Sequence, residues 1–188
     1  MIKRIAIVVV LCLGMAATAQ AGNRVGAFGS YVDQENGSAY GGGVKYEWMA
    51  DQNFGAEARV SYLTGEETDG NVIPLELGLV GQIPVEKVFL YAGIGGGYYI
   101  YQDVAPAIGG WDVEEPDPVL GFYLLGGIRY DLNESLTLFA EVKYTKAEFD
   151  MEQSRTTTIP GVLVRVESID VSGGLDGAGG NLGLLWRF

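Results

Sequence analysis

Carboxylates are abundant in this sequence, and almost nothing is present to work with them. Asp and Glu number 24 against 12 Lys and Arg, with no histidine and a single cysteine, Cys12. A Ser-His-Asp arrangement cannot be built, and neither can a His- or Cys-ligated zinc site. Adjacent Glu114 and Glu115 match the paired carboxylates of glycoside hydrolysis in composition only, and they read more simply as a solvated loop run. Acidic residues also cluster at Glu66-Glu67-Thr68-Asp69 and along 112–117, beside Trp111. Clustered carboxylates suit hard cations, which makes Asp112, Glu114, Glu115 and Asp117 candidate ligands for Ca²⁺ or Mg²⁺. The plain alternative is that these loops are acidic for solubility. Asp131-Leu132-Asn133-Glu134-Ser135 with Glu141 has the look of a calcium loop, but it lacks the sixth-position Gly and its Glu falls one place early. Gly93–Gly97 has neither a nucleotide-binding pattern nor a following helix. Asn36-Gly37-Ser38 is a sequon in form and a hairpin turn by context.

A second group of charges is periodic. Lys45, Glu47, Glu57, Arg59, Glu76, Arg129, Asp131, Glu141, Lys143 and Arg187, five basic and five acidic, all fall on one parity of alternating segments. The opposite parity is free of charge. It carries Tyr40, Val44, Tyr46 and Trp48, then Phe54 through Tyr62, Leu75 to Leu79, Leu90 to Ile100, Phe122 to Tyr130 and Leu136 to Tyr144. A soluble ligand-carrying barrel needs apolar residues inside and charges outside. Here the charge-free face also bears aromatics at its ends, so the pattern predicts charge inside and lipid outside. Glycines on the charged face (Gly41, Gly43, Gly55, Gly78, Gly93, Gly95, Gly97, Gly121, Gly127, Gly183) leave room for long side chains, and matched charges can pair.

The elements that position these faces are strands. Period-two alternation separated by turn chemistry predicts eight: Arg24–Val32, Ala39–Trp48, Phe54–Leu63, Ile73–Gln82, Val88–Tyr101, Val119–Leu132, Ser135–Phe149 and Asp176–Phe188. Each reaches or exceeds the roughly 9–11 residues a tilted strand needs to cross a bilayer core. Short connections (49–53, 83–87, 133–134) alternate with longer ones (33–38, 64–72, 102–118 and the segment after Phe149). Ile159-Pro160-Gly161-Val162 has the chemistry of a type II turn between β-branched flanks. The last connection, about 150–175, is therefore expected to be a long external hairpin; the alternative is an extra strand pair in a ten-stranded barrel.

The ends agree with this reading. Lys3 and Arg4, the apolar run Ile5 to Leu13, and Ala19-Gln20-Ala21 form a Sec-type signal peptide with cleavage near Ala21, which leaves a single domain over 22–188. Two basic residues and no acids lie in that leader, so ten basic residues face 24 acidic ones afterwards. Such a balance excludes nucleic acid as a partner.

At the other end Leu182, Leu184, Trp186 and Phe188 alternate with Asn181, Gly183, Leu185 and Arg187. The spacing of Asn181, Gly183, Trp186 and terminal Phe188 resembles the signal by which the outer-membrane assembly machinery recognises barrel proteins. The chain as a whole resembles small eight-stranded outer-membrane barrels of the OmpA/OmpX type. That resemblance implies an all-β, transmembrane, antiparallel up-and-down barrel in the bacterial outer membrane. It also implies membrane lipid and lipopolysaccharide as surroundings, the barrel-assembly machinery as a partner, and no resident cofactor. Outer-membrane hydrolases and lipid A-modifying enzymes of familiar kinds use a histidine, so a lipid-active enzyme is disfavoured. The expected role is non-enzymatic: envelope structure, or adhesion-like surface interaction with an unidentified external ligand through acidic loops and the final hairpin. The alternative is a narrow pore lined by the inner charges.

Overall fold

The computed structural model describes residues 22–34, 37–65, 70–102, 117–159 and 162–188, with side chains between 149 and 173 left out of the description. The expected signal peptide, the 66–69 and 112–116 acidic runs and the turn expected at Pro160-Gly161 lie outside the described residues.

Among the described residues ten strands follow one another: β1 (Arg24–Gln34), β2 (Gly37–Met49), β3 (Phe54–Gly65), β4 (Asn71–Val85), β5 (Val88–Gln102), β6 (Val119–Asp131), β7 (Leu136–Lys146), β8 (Glu148–Ile159), β9 (Val162–Gly174) and β10 (Gly177–Arg187). Eight close into an antiparallel barrel in the order β1-β10-β7-β6-β5-β4-β3-β2. Closure leaves no unpaired barrel edge, a requirement wherever water is absent. Strands β8 and β9 pair with each other as a separate sheet, from Glu148↔Gly174 to Ile159↔Val162. The extra pair therefore exists but is not part of the barrel wall.

Local chemistry sets the short turns. Asp51 Oδ1 accepts from the backbone N–H of Asn53 and Phe54, both at 2.7 Å, and closes the β2–β3 connection. Asn133 Oδ1 does the same for Ser135 and Leu136 at 2.9 Å between β6 and β7. Between β4 and β5 only Glu86 and Lys87 remain, and Glu86 takes the left-handed backbone (φ 57°) that so tight a turn demands. Pro74 sits inside β4. The β3–β4 ladder breaks there, between Val60↔Leu75 and Leu63↔Val72, because proline has no N–H to donate.

The seventh strand expected to run from Ser135 to Phe149 is interrupted at Ala147. Its carbonyl accepts from Leu175 N–H at 2.9 Å and from the Tyr101 hydroxyl at 3.0 Å, and Ala147 and Leu175 are both buried. The chain thus turns in over the barrel mouth before the hairpin begins. Parity placed the strand correctly, but a long-range contact decided where it leaves the wall.

The outer face is apolar and uncovered. Leu77, Leu79 and Val142 are each about two-thirds exposed at mid-strand. Exposed aromatics form two bands: Trp48, Phe54, Tyr130, Trp186 and Phe188 near the short turns, and Tyr31, Tyr40, Tyr62, Tyr98, Phe122 and Tyr144 near the opposite end. Such belts mark the two interfaces of a bilayer.

Candidate functional site: the barrel interior

The lumen is filled in layers, and its middle is ionic. Successive same-face positions put opposite charges two residues apart: Lys45 and Glu47 on β2, Glu57 and Arg59 on β3, Arg129 and Asp131 on β6, Glu141 and Lys143 on β7. Strand register then sets like beside like, with Lys45 opposite Arg59 and Glu47 opposite Glu57. Like charges directly opposite repel. Partners are therefore found within a strand or across the lumen.

Glu141 is the hub. It accepts from Arg59 Nη1, from Arg59 Nη2 at 2.9 Å, from the Tyr91 hydroxyl and from Asn181 Nδ2 at 2.7 Å, and Lys45 Nζ lies 3.5 Å away. Arg59 also holds Glu57 through Nε at 2.8 Å and Nη2 at 2.9 Å. Toward the short turns, Glu47 pairs with Lys45 at 2.9 Å and with Arg129 at 2.8 Å, while Arg129 Nη1 donates to Gln82 at 2.7 Å. Toward the other end, Lys143 clasps both oxygens of Glu76 at 2.8 and 2.9 Å. Three of these bridges, Arg59–Glu141, Arg129–Glu47 and Lys143–Glu76, join walls three or four strands apart in the closed order.

Eight of the ten charges read from the sequence are buried together in this network. Asp131 and Arg187 are only partly covered and form a looser pair, 3.3 Å apart, at the short-turn rim. Arg24 was missed. It is 5 % exposed, with Nη1 3.7 Å from Glu47 Oε2. Its parity is that of inward Phe28 and Val32, so the signal was available and was overlooked because the residue opens a strand.

Aromatic rings inside the lumen were missed as well. The Tyr91, Tyr99 and Tyr123 hydroxyls donate to Glu141, Glu76 and Glu57, the latter two at 2.8 and 3.0 Å. Lys45 lies 3.8 Å from the Phe139 ring centroid and Arg129 3.9 Å from that of Tyr91. Some inner glycines also make room for rings: a Cβ on Gly95 would collide with the Leu77 carbonyl oxygen and lie 2.5 Å from the Tyr123 ring, and one on Gly43 would lie 2.5 Å from the Val60 carbonyl oxygen and 2.7 Å from Phe28.

Beyond Glu76 the interior turns apolar. Val32, Ala39, Leu63, Tyr99, Tyr101, Ala147 and Leu175 pack into one buried cluster beneath the hairpin root. At the opposite end a vestibule of about 480 Å³ opens beside Arg24, Gln82, Phe89 and Arg187. Of the candidate cation ligands, Asp117 is described and exposed, whereas Asp112, Glu114 and Glu115 lie outside the described residues. Among the described residues no three metal-ligating side chains converge. In the terminal signal, Asn181 is buried on Glu141 and Gly183 faces the Phe28 and Phe139 rings; Trp186 and Phe188 point outward.

An uncharged aromatic-belted exterior around an ion-paired lumen defines a transmembrane barrel. The chain belongs to the outer membrane protein beta-barrel domain family, whose model matches residues 5–188. No curated protein matches the sequence. Among solved structures the fold is similar to Neisserial surface protein A, at 14% identity and TM-score 0.56, over 88% of this chain and 96% of that one. It is also similar to Escherichia coli outer membrane protein W, at 16% identity and TM-score 0.52, over 91% and 100%. A major outer membrane protein of Thermus thermophilus gives 16% identity and TM-score 0.50, over 90% and 100%. Identities this low establish a shared fold. The expectation of a small eight-stranded outer-membrane barrel holds.

Proposed function

We propose that this protein is a closed, non-enzymatic outer-membrane barrel that acts at its outer end, in envelope structure or adhesion-like surface interaction, through its acidic loops and the β8–β9 hairpin. The observation that supports this reading is the trans-lumen bridging beneath the Ala147–Leu175 contact, which crosses the section a water path would need. The inner carboxylates are engaged by cations or tyrosine hydroxyls, so none stands ready as a general base. Sec-type export, assembly through the Asn181–Phe188 strand and insertion beside lipopolysaccharide complete the proposal.

Single-channel recording of the refolded protein in a planar bilayer tests the closed barrel. A silent membrane is expected, with folding verified by a heat-dependent gel shift. Steady openings whose conductance changes in Glu57→Ala, Arg59→Ala and Glu141→Ala would establish the narrow pore instead. Deletion of 152–172 is expected to preserve that gel shift, because β8 and β9 form a sheet separate from the barrel, and to abolish surface binding. The acidic loops, Asp117 included, are proposed to bind Ca²⁺ or Mg²⁺ and bridge to lipopolysaccharide phosphates. An unchanged melting temperature on adding Ca²⁺ or EDTA would remove that part.

A further inference from the structure

With Arg24 counted, the lumen holds six cations (Arg24, Lys45, Arg59, Arg129, Lys143, Arg187) against five carboxylates (Glu47, Glu57, Glu76, Asp131, Glu141) among the described residues. The surplus sits at the short-turn end. Arg129 and Arg187 both lie within electrostatic reach of Arg24, with Glu47 and Asp131 the carboxylates in return. Glu47 Oε1 is shared by Lys45 and Arg129, and Asp131 is taken by Arg187 and Thr137. Although Arg24 is 5 % exposed, its Nε has no hydrogen-bond partner among the described residues, and its Nη1 stands 3.7 Å from an equally unpartnered Glu47 Oε2; Arg129 Nε has none either. Buried donors left unpaired are rare and costly. A bridging water could satisfy one donor, but it would not neutralise the extra charge.

Arg24 borders the 480 Å³ vestibule, whose volume falls in the roughly 300–1,000 Å³ range of small-molecule sites. Its walls combine Arg24 and Arg187 with the apolar surfaces of Met49, Pro84 and Phe89. Asp51, the carboxylate on that wall, is committed to its own turn through two backbone N–H groups at 2.7 Å. The site thus sets two guanidinium groups against one turn-bound carboxylate and an apolar side, within a protein whose net charge is −12.

We propose that this vestibule binds a small organic carboxylate from the aqueous space on the short-turn side. Its anionic group is received by Arg24 and Arg187, and its apolar part lies against Met49, Pro84 and Phe89. The proposal is independent of the outward-facing role, because it concerns the opposite mouth of the barrel.

Benzoate titrated into the folded protein in zwitterionic micelles, followed by calorimetry, tests it, with benzyl alcohol and inorganic phosphate as the other arms. Saturable binding of benzoate at one site is expected, with benzyl alcohol and phosphate at least about tenfold weaker, since the first lacks the charge and the second the apolar body. Arg24→Gln, and separately Arg187→Gln in case the first fails to fold, should each weaken benzoate by about tenfold or more. Absence of saturable benzoate binding to the wild-type protein would overturn the site. Phosphate binding as tightly as benzoate would overturn the ligand class. Unchanged affinity in a folded Arg24→Gln or Arg187→Gln protein would overturn the assignment of those residues.

Discussion

Replacing Glu141 by glutamine, an isosteric change that removes one buried charge, tests whether the ionic layer holds the barrel together. Breaking a buried pair by removing one partner typically costs about 3–5 kcal/mol. Treating each charge-assisted bond to Glu141 as independent would give a larger sum, but the geometry argues for less. Arg59 keeps Glu57 at 2.8 and 2.9 Å, and Lys45 keeps Glu47 at 2.9 Å, so neither cation is orphaned. The substituted amide oxygen can still accept from Asn181 or Tyr91. We therefore expect a loss near the lower bound, about 3 kcal/mol, or roughly a hundredfold in the unfolding equilibrium. Urea unfolding in phospholipid vesicles, followed by tryptophan fluorescence and the heat-dependent gel shift, measures it. Glu148→Gln supplies the comparison, because its 2.9 Å pair with Lys146 is solvent-exposed and should contribute nothing measurable. If Glu141→Gln and Glu148→Gln are indistinguishable, the lumen is hydrated enough to screen its charges, and the argument for a sealed interior fails.

Leu77→Arg places a charge at the middle of the exposed apolar face and should destabilise the barrel by about 2–4 kcal/mol in a bilayer. A negligible change in vesicle-based unfolding would mean that this face does not meet lipid. Gly95→Ala drives a methyl into the Leu77 carbonyl oxygen and to 2.5 Å from the fully buried Tyr123 ring, and should cost about 1–3 kcal/mol. Outward Gly29, where a Cβ meets only the Gly41 carbonyl at 4.0 Å, should tolerate alanine without loss in the same unfolding assay.

Much of this architecture was legible because lipid imposes a strict alternation. Where one face must exclude charge, a register slip would expose the whole inner set, so parity alone sorted Leu77 from Glu76 and Val142 from Glu141. Partner choice was not legible. Arg59 and Lys45 both stand far nearer in sequence to Glu57 than to Glu141, and only the closed order of strands reveals that both reach Glu141 across the lumen. The interior tyrosines escaped notice for a related reason. Tyr99 and Tyr98 are adjacent and chemically identical, yet one holds Glu76 in the core while its neighbour faces outward; composition sees two aromatics, and parity sees two roles. The break at Ala147 lay further out of reach, since it depends on Tyr101 and Leu175, both distant in the chain.

The register of β2 against β3 supports the proposed closed lumen. With Lys45 beside Arg59 and Glu47 beside Glu57, neighbouring strands gain little from each other's charges, and the favourable long-range contacts are those that reach the far wall. A conducting state would have to part Arg59 from Glu141, Arg129 from Glu47 and Lys143 from Glu76 while keeping every strand hydrogen-bonded in the closed sheet. Each separation gives up a direct ion pair, offset by the water that an opened lumen would admit to the parted charges. A side-chain rearrangement that re-paired the cations with new carboxylates could lower that cost, but each carboxylate here is already shared. On the proposed reading, the charges that first suggest a pore are, by their arrangement, what closes it. The two proposals together assign specific recognition to the two ends, the hairpin and loops on one side and the Arg24 vestibule on the other.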